Sequence, residues 1–224
     1  MRARSDYRSR IVRTAAAAAL LAFASGRSSR VVVAQSAPPA LTPFRGLIDH
    51  VTTTTWGGVA SGSSDSNVHS ISGDGRYVVF SSGAWDLVPN DYNGLDDVFL
   101  RDRMTGVTTR VSVAASGGEA NGISQGTAIS TNGRHVAFAS GATNLVAGDS
   151  NGHWDIFVRD LDANRTVRVS VATDGAQGDA DSYSPSVSAD GRYVAFISAS
   201  TTFASGIQPY GPAGLPADAS ERFA

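Results

Sequence analysis

Short apolar runs bounded by polar turns recur along the middle of the chain. Tyr77-Val-Val-Phe80, His135-Val-Ala-Phe138 and Tyr193-Val-Ala-Phe196 each follow an Asp-Gly or Asn-Gly pair by one Arg. Such dipeptides tolerate positive φ and close hairpins whose twist matches the flanking strands. A second run follows a loop, Asp97-Val-Phe-Leu-Arg101 and Asp155-Ile-Phe-Val-Arg159, and a third closes the unit, Thr108-Thr-Arg-Val-Ser-Val113 and Thr166-Val-Arg-Val-Ser-Val171. With the stretch before each Asp-Gly turn, every unit predicts four antiparallel strands. The middle runs are continuously apolar rather than alternating, which suits strands covered on both faces of their sheet. No segment after residue 25 has a helical period.

The units repeat at a fixed spacing. Gly75, Gly133 and Gly191 lie 58 residues apart, as do Phe80, Phe138 and Phe196. Residues 69–126 and 127–184 are two full copies, 47–68 ends a preceding one and 185–206 begins another. A period of this length marks an array of supersecondary units that bury their faces against one another. Four-stranded units stacked radially make an all-β, partial β-propeller; a β-sandwich is the alternative but does not call for a repeat. The copies add up to about three blades, where propellers use at least four. The register breaks at Ile207, and residues 207–224 read as an irregular tail. The array is therefore expected to be incomplete, with sheet edges open to self-association.

Ser184-Pro-Ser-Val-Ser-Ala-Asp-Gly-Arg-Tyr-Val-Ala-Phe-Ile-Ser198, followed in the other copies by Asp155-Ile-Phe-Val-Arg-Asp160 and Asp97-Val-Phe-Leu-Arg-Asp102, resembles the blades of TolB-like, WD-repeat-like β-propellers. The resemblance covers residues 47–203. It implies a propeller fold and a role in protein interaction in the bacterial envelope. The 58-residue repeat is longer than the usual blade of about 40–45 residues. The excess falls in loops 81–96 and 114–126 and their copies.

Charge is uneven along the chain. Residues 1–34 carry seven Arg and one Asp, whereas the rest carries eleven Arg against nineteen Asp and Glu; there is no Lys. The basic start precedes the apolar run Ala15–Ala24, the pattern of a secretory signal peptide over 1–34, with cleavage after Ala24 or Ala34. Residues 35–46 form a Pro-rich linker. The expected location is thus exported, periplasmic or extracellular, with no stable membrane insertion after cleavage. The acidic body argues against nucleic acid as a partner. The absence of Cys removes disulfides and thiolate chemistry.

The acidic loops are the foremost candidate site. Asp91-Tyr-Asn-Gly-Leu-Asp-Asp97 returns as Asp149-Ser-Asn-Gly-His-Trp-Asp155. Asp91, Asn93 and Asp97, and likewise Asp149, Asn151 and Asp155, offer hard oxygen to Ca²⁺ around a Gly turn, with the Leu95 and His153 carbonyls beside them. Pro89 and Ala147 stand where an EF-hand loop has another acidic residue. The same residue types also make Asx turns that merely shape a loop. Gly122-Ile-Ser-Gln-Gly126 matches a nucleophile elbow, which requires a strand before and a helix after. Its serine recurs at Ser66 and Ser182, which favours a structural hydroxyl. His135 replaces Tyr77 and Tyr193, a packing position, and the four His residues lack metal-ligand spacing. Trp85 and Trp154 flank the acidic loops, to line a ligand surface or to pack between blades. Arg101, Arg110, Arg159 and Arg168 suit cross-strand pairs with carboxylates.

These features predict a non-catalytic exported module that binds a protein or another cell-surface macromolecule. Two alternatives stand beside it: a Ca²⁺-stabilised structural or adhesive surface protein, and the propeller portion of a peptidase or glycan-active hydrolase that lacks its catalytic domain.

Overall fold

The computed structural model describes residues 32–34 and 48–204. The apolar run of the leader, the whole linker 35–46 and the tail after 204 lie outside the described residues. The described chain is built of strands: β1 (Val32–Ala34), β2 (Ile48–His50), β3 (Ser64–Asp65), β4 (Tyr77–Ser82), β5 (Asp97–Asp102), β6 (Val107–Arg110), β7 (Ser124–Ile129), β8 (His135–Ser140), β9 (Asp155–Asp160), β10 (Arg165–Arg168), β11 (Ser182–Val187) and β12 (Val194–Ser198), with one 3-10 turn at Thr202–Ala204. They form two four-stranded antiparallel sheets, β3-β4-β5-β6 and β7-β8-β9-β10, and two strand pairs, β1-β2 and β11-β12. The sheets succeed one another face to face, β4 against β7 and β11 against β7 and β8. This is the partial propeller, and the sandwich alternative gives way to it.

Burial follows the apolar runs. β8 is buried along its whole length, and the first four residues of β5 and of β9 are buried too. Val79, Leu100, Val136 and Phe138 fill the space between the first two sheets, while Ala137, Ile156, Val158 and Val194 fill the next. Odd and even positions of one strand therefore serve different interfaces, which is why these strands show no alternation. Phe80 stacks on Phe99 and Phe138 on Phe157 across adjacent strands, at 5.8 Å in both copies. Such pairs are worth about 0.5–1.5 kcal/mol beyond their buried area.

The Asp-Gly turns are wider than two-residue hairpins. Ser72 accepts from Gly75 N–H at 2.9 Å and donates its own N–H to the Tyr77 carbonyl at 3.0 Å. Only the glycine enters the left-handed region, with φ of 72° at Gly75, 74° at Gly133 and 82° at Gly191. The Asp74 carboxylate instead accepts from Ser72 Oγ at 2.6 Å and Arg76 N at 3.0 Å. Asn132 and Asp190 repeat this arrangement. The glycine has a second role. A Cβ at Gly133 would lie 2.9 Å from the Tyr77 ring of the preceding copy, and one at Gly191 would lie 2.1 Å from His135 Nδ1. Successive turns also bond each other: Gly73 N donates to Thr131 O at 2.8 Å and Asn132 N to Ala189 O at 3.2 Å.

The third predicted strand stops short, at Arg110 and Arg168 rather than Val113 and Val171. Val111 N still donates to Val98 O, but Val98 N donates to Ser112 Oγ at 3.0 Å. Ser170 does the same for Ile156 N. A side-chain hydroxyl thus replaces the backbone carbonyl of the ladder.

Candidate functional site

Each acidic loop is shaped from within. Asn93 Oδ1 accepts from Leu95 N at 2.9 Å, an Asx turn made possible by Gly94 at φ 67°. That turn aims Asn93 Nδ2 at Asp97 Oδ2, 2.9 Å away, and at Ala120 O, 3.2 Å away. Asp97 opens β5 with no exposed surface and also accepts from Ser112 Oγ at 2.5 Å. Because Phe99 lies opposite Arg110, the Arg110 side chain falls on the same face as Asp97, two residues earlier on β5.

Arg110 is the centre of the cluster. Its side chain is 8% exposed and reaches Asp91 at 3.3 Å, Asp97 at 3.5 Å and Glu119 at 3.1 Å. Glu119 in turn accepts from Tyr92 N at 2.8 Å and Asn93 N at 3.3 Å. The second copy has the same plan. Arg168 meets Asp149 at 2.9 Å and Asp155 at 3.2 Å, and Asn151 Nδ2 donates to Asp155 at 2.9 Å. Gln177 takes the place of Glu119, accepting from Arg168 at 2.9 Å and from Ser150 N and Asn151 N at 3.1 and 3.0 Å.

Burial sets the electrostatics. It pushes the Asp91, Asp97 and Asp149 carboxyls above their ordinary value, against the pull of Arg110 on the first two and Arg168 on the third; Ser112 and Asn93 add to that pull on Asp97. Glu119 ends below its ordinary value: partial burial raises it, but the Tyr92 and Asn93 N–H groups and Arg110 outweigh that.

The structure brings all six predicted Ca²⁺ ligands together in two groups of three, but around a guanidinium. Asn93 and Asn151 turn amide donors, not oxygens, toward the central carboxylates. Their oxygens are engaged by the Leu95 and His153 N–H groups. Arg110 and Arg168 supply the positive charge, so a Ca²⁺ ion would have to displace a buried arginine. Among the described residues no group of three His, Cys, Asp or Glu is placed to hold a metal ion. The geometry fits the Asx-turn reading of the loops, with arginine as the counter-charge of the buried carboxylates.

The remaining candidates are also absorbed by the repeat. Ser124 is fully buried and pairs with Ser140 Oγ at 2.9 Å. Ser182 pairs with Ser198 at 3.0 Å, and Ser64 with Ser82 at 2.9 Å. The first-copy equivalent is therefore Ser64, not Ser66, because the segment from Ser64 to Ile71 is two residues longer than that from Ser124 to Ile129. Gly122 serves close approach, since a Cβ there would lie 2.7 Å from Ala142 N, as one at Gly62 would from Ala84 N. No helix follows Ser124. His135 is 2% exposed, and burial lowers its pKa against the pull of Asp160. Arg101 and Arg159 reach Thr108 and Thr166 at 3.0 and 3.1 Å, while Asp102 pairs with Arg76 at 2.7 Å.

The tryptophans divide. Trp154 packs against the core between the second and third sheets, its ring 5.8 Å from that of Tyr183. Trp85 is 65% exposed, and Trp56 and Tyr92 are 84% and 81% exposed. Trp56 and Trp85 sit on linked loops: Ser61 N donates to Asp86 Oδ1 at 3.0 Å, and Thr55 Oγ1 to Leu87 O at 3.4 Å. A groove of about 790 Å³ lies elsewhere, beside β10, lined by Leu145, Val146, Arg159, Arg165 and Val167 among others.

No protein-family model matches the chain, and no curated protein matches its sequence. Solved structures similar to it include the tricorn protease (16% identity, TM-score 0.40, covering 68% of this chain and 12% of that one). A TolB-type protein from Agrobacterium tumefaciens is similar at 17% identity and TM-score 0.42, with 80% of this chain and 53% of that one covered. TolB from Acinetobacter baumannii is similar at 13% identity and TM-score 0.37, covering 74% and 34%. The chain thus spans between an eighth and about half of the proteins it is similar to.

Proposed function

We propose that the chain is a TolB-like, non-catalytic exported module that binds a protein or another macromolecule of the cell envelope through the loops of its first sheet. The observation that carries this reading is the exposure of Trp56, Trp85 and Tyr92. The second copy has Ser116, Thr143 and Ser150 at the corresponding positions, so the fold does not require aromatics there. Large aromatic side chains held in water on tied loops are the usual centres of binding energy at protein surfaces. The acidic, serine and histidine candidates are meanwhile engaged in packing and charge neutralisation, which supports binding over chemistry. Export rests on the basic, then apolar start of the chain.

The test uses Trp56→Ala/Trp85→Ala/Tyr92→Ala. All three sites are exposed, so the thermal midpoint should move little. Retention of the purified protein on isolated cell-envelope fractions should fall at least tenfold. Unchanged retention overturns the assignment of the surface. Hydrolysis of peptide or glycan substrates that disappears in Ser124→Ala overturns the non-catalytic reading.

A further inference from the structure

The two strand pairs are complementary halves of one sheet. The bridges Thr53↔Val59, Val113↔Glu119 and Val171↔Gln177 align Val51 with Val111 and Val169. His50 at the end of β2 therefore corresponds to Arg110 and Arg168 at the ends of β6 and β10, so β2 is a fourth strand. Val32 lies opposite His50, as Phe99 lies opposite Arg110 and Phe157 opposite Arg168. This makes β1 a third strand, one that an exported chain keeps when its leader is cut after Ala24 and not after Ala34. At the other end, the Ser182–Ser198 pair and the Ser188–Asp190 turn mark β11 and β12 as first and second strands. The two halves stand as separate sheets.

Among the described residues nothing pairs with the outer edge of β12. Ile197 is 67% exposed, whereas its counterpart Ala139 is 1% exposed. Ala195 is exposed where Ala137 is buried. Phe196 lacks the cross-strand stacking partner that Phe157 gives Phe138 and meets Phe203 edge-on instead, at 6.2 Å. An open strand edge with apolar surface is a template for another strand.

We infer that β1-β2 of a second copy completes the sheet begun by β11-β12. Among the described residues, two whole sheets and one shared sheet make three, below the four to eight of a closed ring. Two chains give six, which falls within that range and closes with two identical joints about a two-fold axis. The register follows from the second sheet. Ala137 lies opposite Val158, so Ala195 lies opposite Val33 of the second copy, and Phe196 opposite its Val32.

The chain contains no Cys, so the joint can be trapped without background. Directly opposed antiparallel residues have Cα atoms about 4.5–5.5 Å apart, within disulfide reach. The full chain carrying Val33→Cys/Ala195→Cys, oxidised and run without reductant, should migrate as a covalent dimer of twice 23.1 kDa. Wild type should show the dimer mass by light scattering, and each single Cys variant should give no cross-link. A disulfide within a monomer would mean that the chain closes on itself and overturns the inference. So would a monomeric wild type, a polymer ladder, or dimers cross-linked by Ala195→Cys alone. Ile197→Arg gives a second check: at an exposed site it should leave the circular dichroism unchanged and halve the mass. Retention of the dimer by a folded Ile197→Arg chain also overturns the inference. No outside ligand enters these assays, so their failure leaves the envelope-binding reading untouched.

Discussion

Replacing Arg110 by Met removes the one cation from a cluster of three carboxylates while keeping most of its volume. At 3.3 Å and an effective dielectric of about 20, the attraction between Arg110 and Asp91 is about 5 kcal/mol before desolvation is counted. Removing one partner of a buried pair costs about 3–5 kcal/mol net, because the other charge is left buried and unpaired. For a domain of this size each kcal/mol moves the thermal midpoint by about 2–4 °C. Arg110→Met should therefore melt about 6–20 °C below wild type in calorimetry at pH 7. The deficit should shrink as pH falls. Burial already raises Asp91 and Asp97, and without the guanidinium they take up protons still more readily in the folded state. Removing the arginine also leaves the acidic cage that suits Ca²⁺. Millimolar Ca²⁺ should restore part of the midpoint of Arg110→Met, while neither Ca²⁺ nor EDTA moves wild type. A midpoint that falls by less than 2 °C, or a wild-type protein that EDTA destabilises as strongly as the substitution does, would refute the guanidinium as resident counter-ion.

The glycines of the turns form a graded series. Gly191→Ala meets His135 at 2.1 Å and Gly133→Ala meets Tyr77 at 2.9 Å, whereas Gly75→Ala finds only the end of Arg103 at 3.8 Å. All three carry the positive-φ penalty of about 1 kcal/mol, so urea midpoints should show Gly75→Ala as the mildest of the three. Ser124→Ala removes one hydrogen bond from Ser140, which still donates to Ile123 O and accepts from Ala142 N, and should cost about 0.5–1.5 kcal/mol in urea unfolding. On the acid side, Arg76 holds Asp102 well below its ordinary value of 3.8. That contribution is present above pH 3.8 and lost as pH falls below it, so Arg76→Gln should flatten the acid limb of the stability curve relative to wild type.

Most of the fold was legible because its physics is local and repeated. Phe80, Phe138 and Phe196 share a register, and the continuous apolar runs signal sheets covered on both faces. The acidic loops were legible as Asx turns and their arginines as partners for carboxylates, but not the meeting of the two in one cluster. The Asp and Arg positions recur together, 91 and 97 with 110, and 149 and 155 with 168. Pairing those two recurrences identifies the counter-ion; reading the Asp residues alone suggests a metal. Ser112 and Ser170 escaped notice because a hydroxyl at a strand end carries no periodic signal until its ladder partner is known. The Ser64 correspondence was hidden by two extra residues, Ser64–Ile71 against Ser124–Ile129, which an ungapped 58-residue comparison cannot absorb. The turns are wider than the Asp-Gly pair alone suggests because Asp74 contributes a carboxylate, not a positive φ.

The charge network has a consequence for how such a chain changes length. Arg110, Asp91, Asp97 and Glu119 all belong to one copy, and Arg168, Asp149, Asp155 and Gln177 to the next. Each unit is electrically self-sufficient at its centre. A gene duplication or in-frame loss of one unit therefore strands no buried ion in its neighbours, so the number of units is free to drift while each stays sound.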